Sequence, residues 1–370
     1  MKKSITRYLV LVAVILCVAG AALAFAGFSA GASGSIIFDH GIKVITASDM
    51  TVYSGTVYEE PADIEIASRY ADITFLPSDT EYWKYEVRTP WGEPTIEISA
   101  NNPRKLKIAE RDSKGFDIVN VDFFGTTGSY IKIYFPVDSD LSTVTINSVS
   151  GTIRYEKAPD LRSLAINTMS GEIYLSDFTA EKVTAKTISG EITVRRVGEN
   201  SPNVTERENE QTGTALVSGP VEMEMSLATM SGEIEVEDIF AAQLMCEAIS
   251  GDIDINGNAP WYGTDITATT MSGEVSARRI AGKVSMSSVS GNVTAQGAID
   301  EAALRSTSGN ILLRTSVALN RFSGEARTTS GDVWVSGDRM GNIYKFRGSG
   351  AVLTLVTTSG NVKAEFDCVF

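Results

Sequence analysis

From Val144 onward, apolar residues return to fixed places around a recurring Ser-Gly pair. Ten copies align on Ser150, Ser170, Ser189, Ser231, Ser250, Ser272, Ser290, Ser308, Ser330 and Ser359. Four residues before the serine stand Ile146, Ile166, Ala185, Leu227, Cys246, Ala268, Met286, Leu304, Ala326 and Leu355. Three after it stand Ile153, Ile173, Ile192, Ile234, Ile253, Val275, Val293, Ile311, Val333 and Val362. Further apolar columns fall six before and five after, with polar residues between. That period of two predicts strands with one buried face. Each repeat therefore reads as two short strands joined by a corner at Ser-Gly, where glycine avoids a Cβ clash. Most successive spacings are 18 to 22 residues, the length of a β-solenoid turn. Two before the serine runs a hydroxyl column, including Thr168, Thr187, Thr229 and Thr270, placed to hydrogen-bond along a ladder.

The register breaks once, between Ser189 and Ser231, where the polar run Gly198–Gly213 reads as a surface insertion. Upstream, residues 34–141 carry longer alternating segments separated by Pro, Gly, Asn and Asp, which predict an antiparallel β region capping the first turn. The repeat region itself spans 142–370. Its last turn ends at Ala364, six residues from the C-terminus, so an uncapped parallel edge open to self-association is expected there.

The N-terminus differs in kind. Lys2, Lys3 and Arg7 precede Tyr8–Gly27, an apolar run about long enough to span a bilayer. The basic residues predict a cytoplasmic stub, a transmembrane helix and a short linker within 1–33, with the rest outside the cytoplasm. The alternative is a signal peptide cleaved after Ala22-Leu23-Ala24, which secretes the domain. Both export it.

These residues resemble a family of bacterial surface proteins described as "putative adhesins", a domain of unknown function. Tyr130–Ile153 (YIKIYFPVDSDLSTVTINSVSGTI) and the SGEI, SGDI and SGNV repeats after it carry the resemblance, which covers about Thr51 to the C-terminus. It implies an all-β fold with a right-handed parallel β-helix of about ten turns at the cell envelope, and it implies no reaction.

Composition narrows the function. A net charge of −14 argues against nucleic-acid binding. The three cysteines, Cys17, Cys246 and Cys368, make no disulfide framework, and Cys246 reads as a small core residue. The lone histidine, His40, lies outside the repeats, so they hold no Ser-His-Asp base and no zinc-ligand spacing. Two after the serine, Glu172, Glu191, Glu233, Asp252 and Glu274 form an acidic column. Stacked oxygen ligands of that kind suit Ca²⁺, but the sequence lacks the glycine-and-aspartate nonapeptide of calcium-binding β-rolls, and a solvated ridge is the plainer reading. Asp252, Asp254 and Arg278 invite comparison with acidic sites of pectin-cleaving β-helices. A second candidate surface gathers Arg305, Leu312, Arg327 and Trp334 as an apolar patch rimmed by arginines, suited to a glycan or a cell-envelope protein. Charge is uneven: Gly151–Ile280 holds 21 acidic and 10 basic residues, Ala281–Phe370 holds 7 and 9. The expectation is a non-enzymatic, adhesin-like envelope scaffold. A carbohydrate-binding or carbohydrate-active β-helix using the acidic face between Glu172 and Glu274 is the alternative, and envelope-stress sensing is a third class.

Overall fold

The computed structural model describes residues 34–38, 42–46, 49–99, 104–110, 120–121, 128–139, 141–198, 205–207, 216–218, 223–257, 264–348 and 350–369. They form an all-β protein interrupted by short 3-10 turns such as Leu319–Arg321. Among the described residues no helix is long and apolar enough to cross a membrane. The expected anchor at 1–33 and His40 lie outside them.

The chain divides into two compact units. One, drawn from residues 1–53, 87–94 and 111–129, contains a small antiparallel sheet. Its central strand Gly34–Phe38 pairs with Ile42–Thr46 and with Asn120–Val121. The other unit, residues 54–86, 95–110 and 130–370, is an all-β solenoid.

Each repeat in the solenoid supplies a long strand ending at its serine and a short strand beginning three residues later. The long strands Leu141–Ser150, Leu161–Ser170, Ala180–Ser189, Glu224–Ser231, Gln243–Ser250 and Thr264–Ser272 pair parallel and in register. The short strands from Ile153, Ile173, Ile192, Ile234 and Ile253 stack beside them, also parallel. All four apolar columns point inward and are buried, from Ile146 and Ile153 in the first repeat to Leu355 and Val362 in the last. Cys246 is among them; burial pushes its thiol well above the ordinary range, which makes it a poor nucleophile.

The corner chemistry follows from how closely the rungs stack. A Cβ on Gly251 would lie 1.8 Å from the carbonyl oxygen of Gly232, and one on Gly291 would lie 1.9 Å from that of Gly273. Close approach of backbones, more than φ, demands glycine here. The hydroxyl column is buried and serves the same corner: Thr270 Oγ1 donates to Gly251 O at 3.1 Å, Ser288 Oγ to Gly273 O at 2.9 Å, and Thr357 Oγ1 to Gly309 O at 2.9 Å. A second corner, seven after the serine, takes left-handed backbone at Lys157, Asp177, Arg196, Asp238 and Arg279. There Arg196 reaches one rung back to grip Asp177 through two bonds, of 2.6 and 2.9 Å, which hold the Asp177 carboxyl below its usual range.

Two expectations change. Within the solenoid unit, the stretch before the repeats is largely parallel, not antiparallel. Asp63–Ser68 pairs parallel with both Leu141–Ser150 and Lys105–Ala109, and Asp72–Ser78 pairs parallel with Tyr130–Pro136. These strands are further solenoid rungs whose corner is Arg69-Tyr70-Ala71, invisible to an alignment on Ser-Gly. Antiparallel pairing remains between Thr95–Ser99 and Lys105–Ala109, and in the small sheet around Gly34–Phe38.

The other change is at the C-terminal end. Chain order is not spatial order there: Ala351–Ser359 pairs on one side with Val293–Ser308 and on the other with Phe322–Ser330. Val362–Glu365 is likewise held between Ile311–Thr315 and Val333–Val335. The last rung in sequence is thus interior. The spatially terminal rung, Phe322–Val335, is covered along some of its edge by antiparallel Ile343–Arg347 and Asp338–Arg339. Phe366 packs against Phe322 and Phe346, with ring centroids 5.5 and 5.8 Å apart, and seals the core. At the opposite end Phe75, Tyr155 and Phe178 stack at 4.8 and 4.9 Å. In the polar insertion Thr205–Arg207 forms an antiparallel pair with Leu216–Ser218, just beyond it.

Candidate functional site

With the inner columns committed to the core, chemistry is left to the outward ones. The acidic column falls just past the Ser-Gly corner. Glu172, Glu191, Glu233, Asp252 and Glu274 sit on five successive rungs, stacked at the parallel-strand spacing of about 4.8 Å. All are exposed except the half-buried Glu191. The structure therefore brings these five together as a ridge, yet they are not equivalent. Glu172 accepts a bond from the Tyr174 hydroxyl at 3.0 Å, and Glu191 from Thr193 at 3.1 Å. Asp252 is engaged by the fold, since its Oδ1 accepts the Glu274 backbone N–H at 2.7 Å. Glu233 has its carboxyl raised above the usual range by partial burial, and then by the charges of Glu191, Asp252, Glu235 and Asp254. Among the described residues no group of three or more His, Cys, Asp or Glu side chains is close enough to hold a metal ion.

The bond made by Asp252 recurs at four other Asp and Asn positions of this column. Asp72 accepts from the Thr152 N–H at 2.8 Å, Asn292 from Asn310 at 3.0 Å, and Asn310 from Asn361 at 2.9 Å. Asn361 in turn accepts from Asp332 at 2.9 Å. Asp and Asn there are rung-to-rung clamps; the glutamates keep their carboxylates for solvent or a partner.

The short strands' outer face carries ion pairs. Arg195 bridges Glu235 at 3.1 Å and Glu237 at 3.2 Å, and Arg278 lies 3.9 Å from Asp254. Asp254 and Arg278 thus form a loose exposed pair off the register, Asp254 standing opposite Ser276. Arg154 lies over the Tyr174 ring, 4.1 Å from its centroid.

The second predicted surface is dispersed by the C-terminal insertion. Lys363 stands between Leu312 and Trp334, and Val356 between Arg305 and Arg327. Leu312 and Trp334 are two rungs apart rather than one, Trp334 pairs with Arg339 on its outer side, and Arg327 bonds Glu325 at 3.2 Å.

A further outward column lies beyond what the alternation suggests. One residue before the serine stand Val149, Met169, Ile188, Met230, Ile249, Met271 and Val289, and every one is exposed, at 39 to 57%. Seven consecutive rungs present a large apolar side chain to solvent. The signal is present in the alignment, one column from the serine. Alternation hides it by assigning that position to the wet face.

The fold and its outer ridges define a β-solenoid with functional groups arrayed along its surface. The Toastrack DUF4097 family matches residues 62–205 and 216–365, most of the chain, and the chain belongs to that family. The unmatched residues between, 206–215, fall almost wholly in the polar insertion. No curated protein matches the chain. Among solved structures, a "putative adhesin" from Bacteroides fragilis is similar at 13% identity, covering 72% of this chain and 96% of that one, with a TM-score of 0.38. A "putative adhesin" from Parabacteroides distasonis is 15% identical over 72% and 96%, with a TM-score of 0.43. A "putative lipid binding protein" from the same species is 14% identical over 84% and 96%, with a TM-score of 0.39.

Proposed function

We propose that the chain is a non-enzymatic interaction module of the cell envelope, an adhesin-like right-handed parallel β-helix of about ten turns. In this reading residues 1–33 anchor it in the membrane and the solenoid stands outside the cytoplasm. One observation carries it: the outward groups that could engage a partner are strung along a ridge of five or more rungs. Catalysis calls for convergent groups around one reacting atom; a repeating ridge suits an extended partner. Protease added to intact cells tests the reading together with membrane fractionation. Cleavage of the solenoid from membrane-associated protein is expected, and full protection in intact cells with cleavage only after lysis would overturn it.

The raised carboxyl of Glu233 favours one second reading, a carbohydrate-active or carbohydrate-binding face. Hydrolysis or binding of cell-wall glycans that disappears in Glu233→Gln would establish it. Ca²⁺ on the acidic column is a separate proposal of the same surface. A thermal melt that rises by a few degrees in millimolar Ca²⁺, and loses that rise when Glu191, Glu233 and Asp252 become Gln or Asn, would establish it, and an unchanged melt would leave the column a solvated ridge.

A further inference from the structure

The apolar column and the acidic column overlap on five rungs. On the Ser170, Ser189, Ser231, Ser250 and Ser272 rungs, an exposed Met169, Ile188, Met230, Ile249 or Met271 is followed three residues later, across the corner, by Glu172, Glu191, Glu233, Asp252 or Glu274. The carboxylates stop at Glu274 and return only at Asp332, and the apolar column runs one rung further than Glu274, to Val289. The apolar column becomes Thr307, Thr329 and Thr358, the carboxylates give way to Asn292 and Asn310, and Arg305 and Arg327 enter the outward column beside them. Solvation alone requires neither the apolar residues nor their overlap with the five carboxylates. A shallow depression lined by Lys186, Ile188, Met230, Glu247 and Ile249 marks the middle of the stripe.

We propose that this stripe is a docking surface for a cationic amphipathic helix of a partner protein, which lays its apolar face on the methionines and isoleucines and its Lys or Arg residues along the carboxylates. The proposal rests on the interaction-module reading and names the partner class. Three properties of the surface select this occupant. The carboxylate border attracts cations and repels anionic lipid surfaces and a second copy laid stripe to stripe. The rungs repeat at about 4.8 Å, near the 5.4 Å pitch of a helix and far from the roughly 6.6 Å between same-face residues of an extended strand. Three of the five central side chains are methionine, whose flexible thioethers absorb the residual mismatch of about 0.6 Å per turn. Seven rungs from Val149 to Val289 span about 29 Å, the length of a helix of roughly 19 residues.

The test uses the full chain in phosphatidylcholine nanodiscs and a fluorescent 18-residue synthetic helix with leucine on one face and lysine on the other, read by anisotropy against empty nanodiscs. Saturable binding is expected. I188T/M230T/I249T, which installs the residue this column carries at Thr307 and Thr329, should weaken it at least tenfold. E172Q/E191Q/E233Q should weaken it several-fold and flatten its salt dependence, and a leucine–glutamate helix should not bind. Equal affinity for wild type and the threonine variant, or no binding by wild type, overturns the proposal. So does sedimentation showing a dimer that the threonine variant abolishes, because a second copy then occupies the stripe. Protease shaving of intact cells is independent of the peptide, so a failed titration with an exposed solenoid removes this partner class and leaves the broader reading standing.

Discussion

At the corner, a glycine and a threonine that serve the same turn should differ sharply in cost. Gly251→Ala places a methyl 1.8 Å from the Gly232 oxygen, and the only relief is to separate rungs that backbone hydrogen bonds hold together. A loss of about 3 kcal/mol or more follows from overpacking so rigid a site. Thr270→Val keeps the shape but removes the bond to Gly251 O, worth about 1 kcal/mol. Urea denaturation of the two variants should rank them in that order, and a mild Gly251→Ala would mean that the rungs stack more loosely than these distances imply. Glu233 gives a pH signature. Its folded carboxyl is raised, so the fold binds its proton more readily than the unfolded chain does. That contribution to stability is full below the ordinary glutamate range and is lost as pH rises through the raised value. Glu233→Gln should therefore melt higher than wild type at neutral pH, with the gain vanishing as pH is lowered through the carboxylate range. An unchanged difference at both ends would remove the electrostatic explanation.

Among the elements, the strand inserted last in sequence should behave as the interior of the sheet. Chain ends ordinarily fray, but Ala351–Ser359 has a parallel neighbour on each side and Phe366 is lodged between Phe322 and Phe346. Hydrogen exchange should protect its amides as strongly as those of Gln243–Ser250. Phe366→Ala, which removes a ring from both contacts, should cost about 3 kcal/mol and release that protection locally first. Rapid exchange in the wild-type strand would contradict the insertion. This element also marks where the sequence is legible and where it is not. The inward columns, the Ser-Gly corners and the parallel repeat can be read directly, because close rungs impose the same residue at the same offset every time. Nothing in the period says which rung lies beside which, so an insertion that exchanges the order of Ser330 and Ser359 leaves the pattern intact. The same blindness separates Leu312 from Trp334. The first rungs escape notice because Arg69-Tyr70-Ala71 turns its corner without the Ser-Gly mark. The acidic ridge is readable as a column, but the division between Asp252 as a clamp and Glu233 as a free carboxylate depends on side-chain length against rung spacing, which only the folded chain shows.

For the whole molecule, stability is expected to be a sum over rungs and their interfaces, since each turn touches only its neighbours. That makes the solenoid tolerant of one kind of deletion and intolerant of another. Removing Gly232–Ser250 joins Ser231 to Gly251 and takes out one complete turn. The pairing partners then shift by a rung but keep their register, because Ser231, Ser250 and Ser272 already stand opposite one another. Inward columns stay inward, and Ile192 meets Ile253 as it met Ile234. The shortened protein should fold, melt somewhat lower, and measure about 5 Å shorter in solution scattering. Removing one residue fewer, Gly232–Ile249, leaves an extra residue at the corner. Every position of one flanking strand then slips by one, and side chains at odd and even positions exchange faces. That variant would bury polar groups such as Asp254 in place of Ile253 and Ile255, and should fail to fold or lose several kcal/mol. The two deletions decide the matter only as a pair. If both fold equally well, the turns are held by something other than the in-register columns. If both fail, the rungs are coupled beyond nearest neighbours, and the ridge they carry would be one cooperative surface rather than a sum of separable steps.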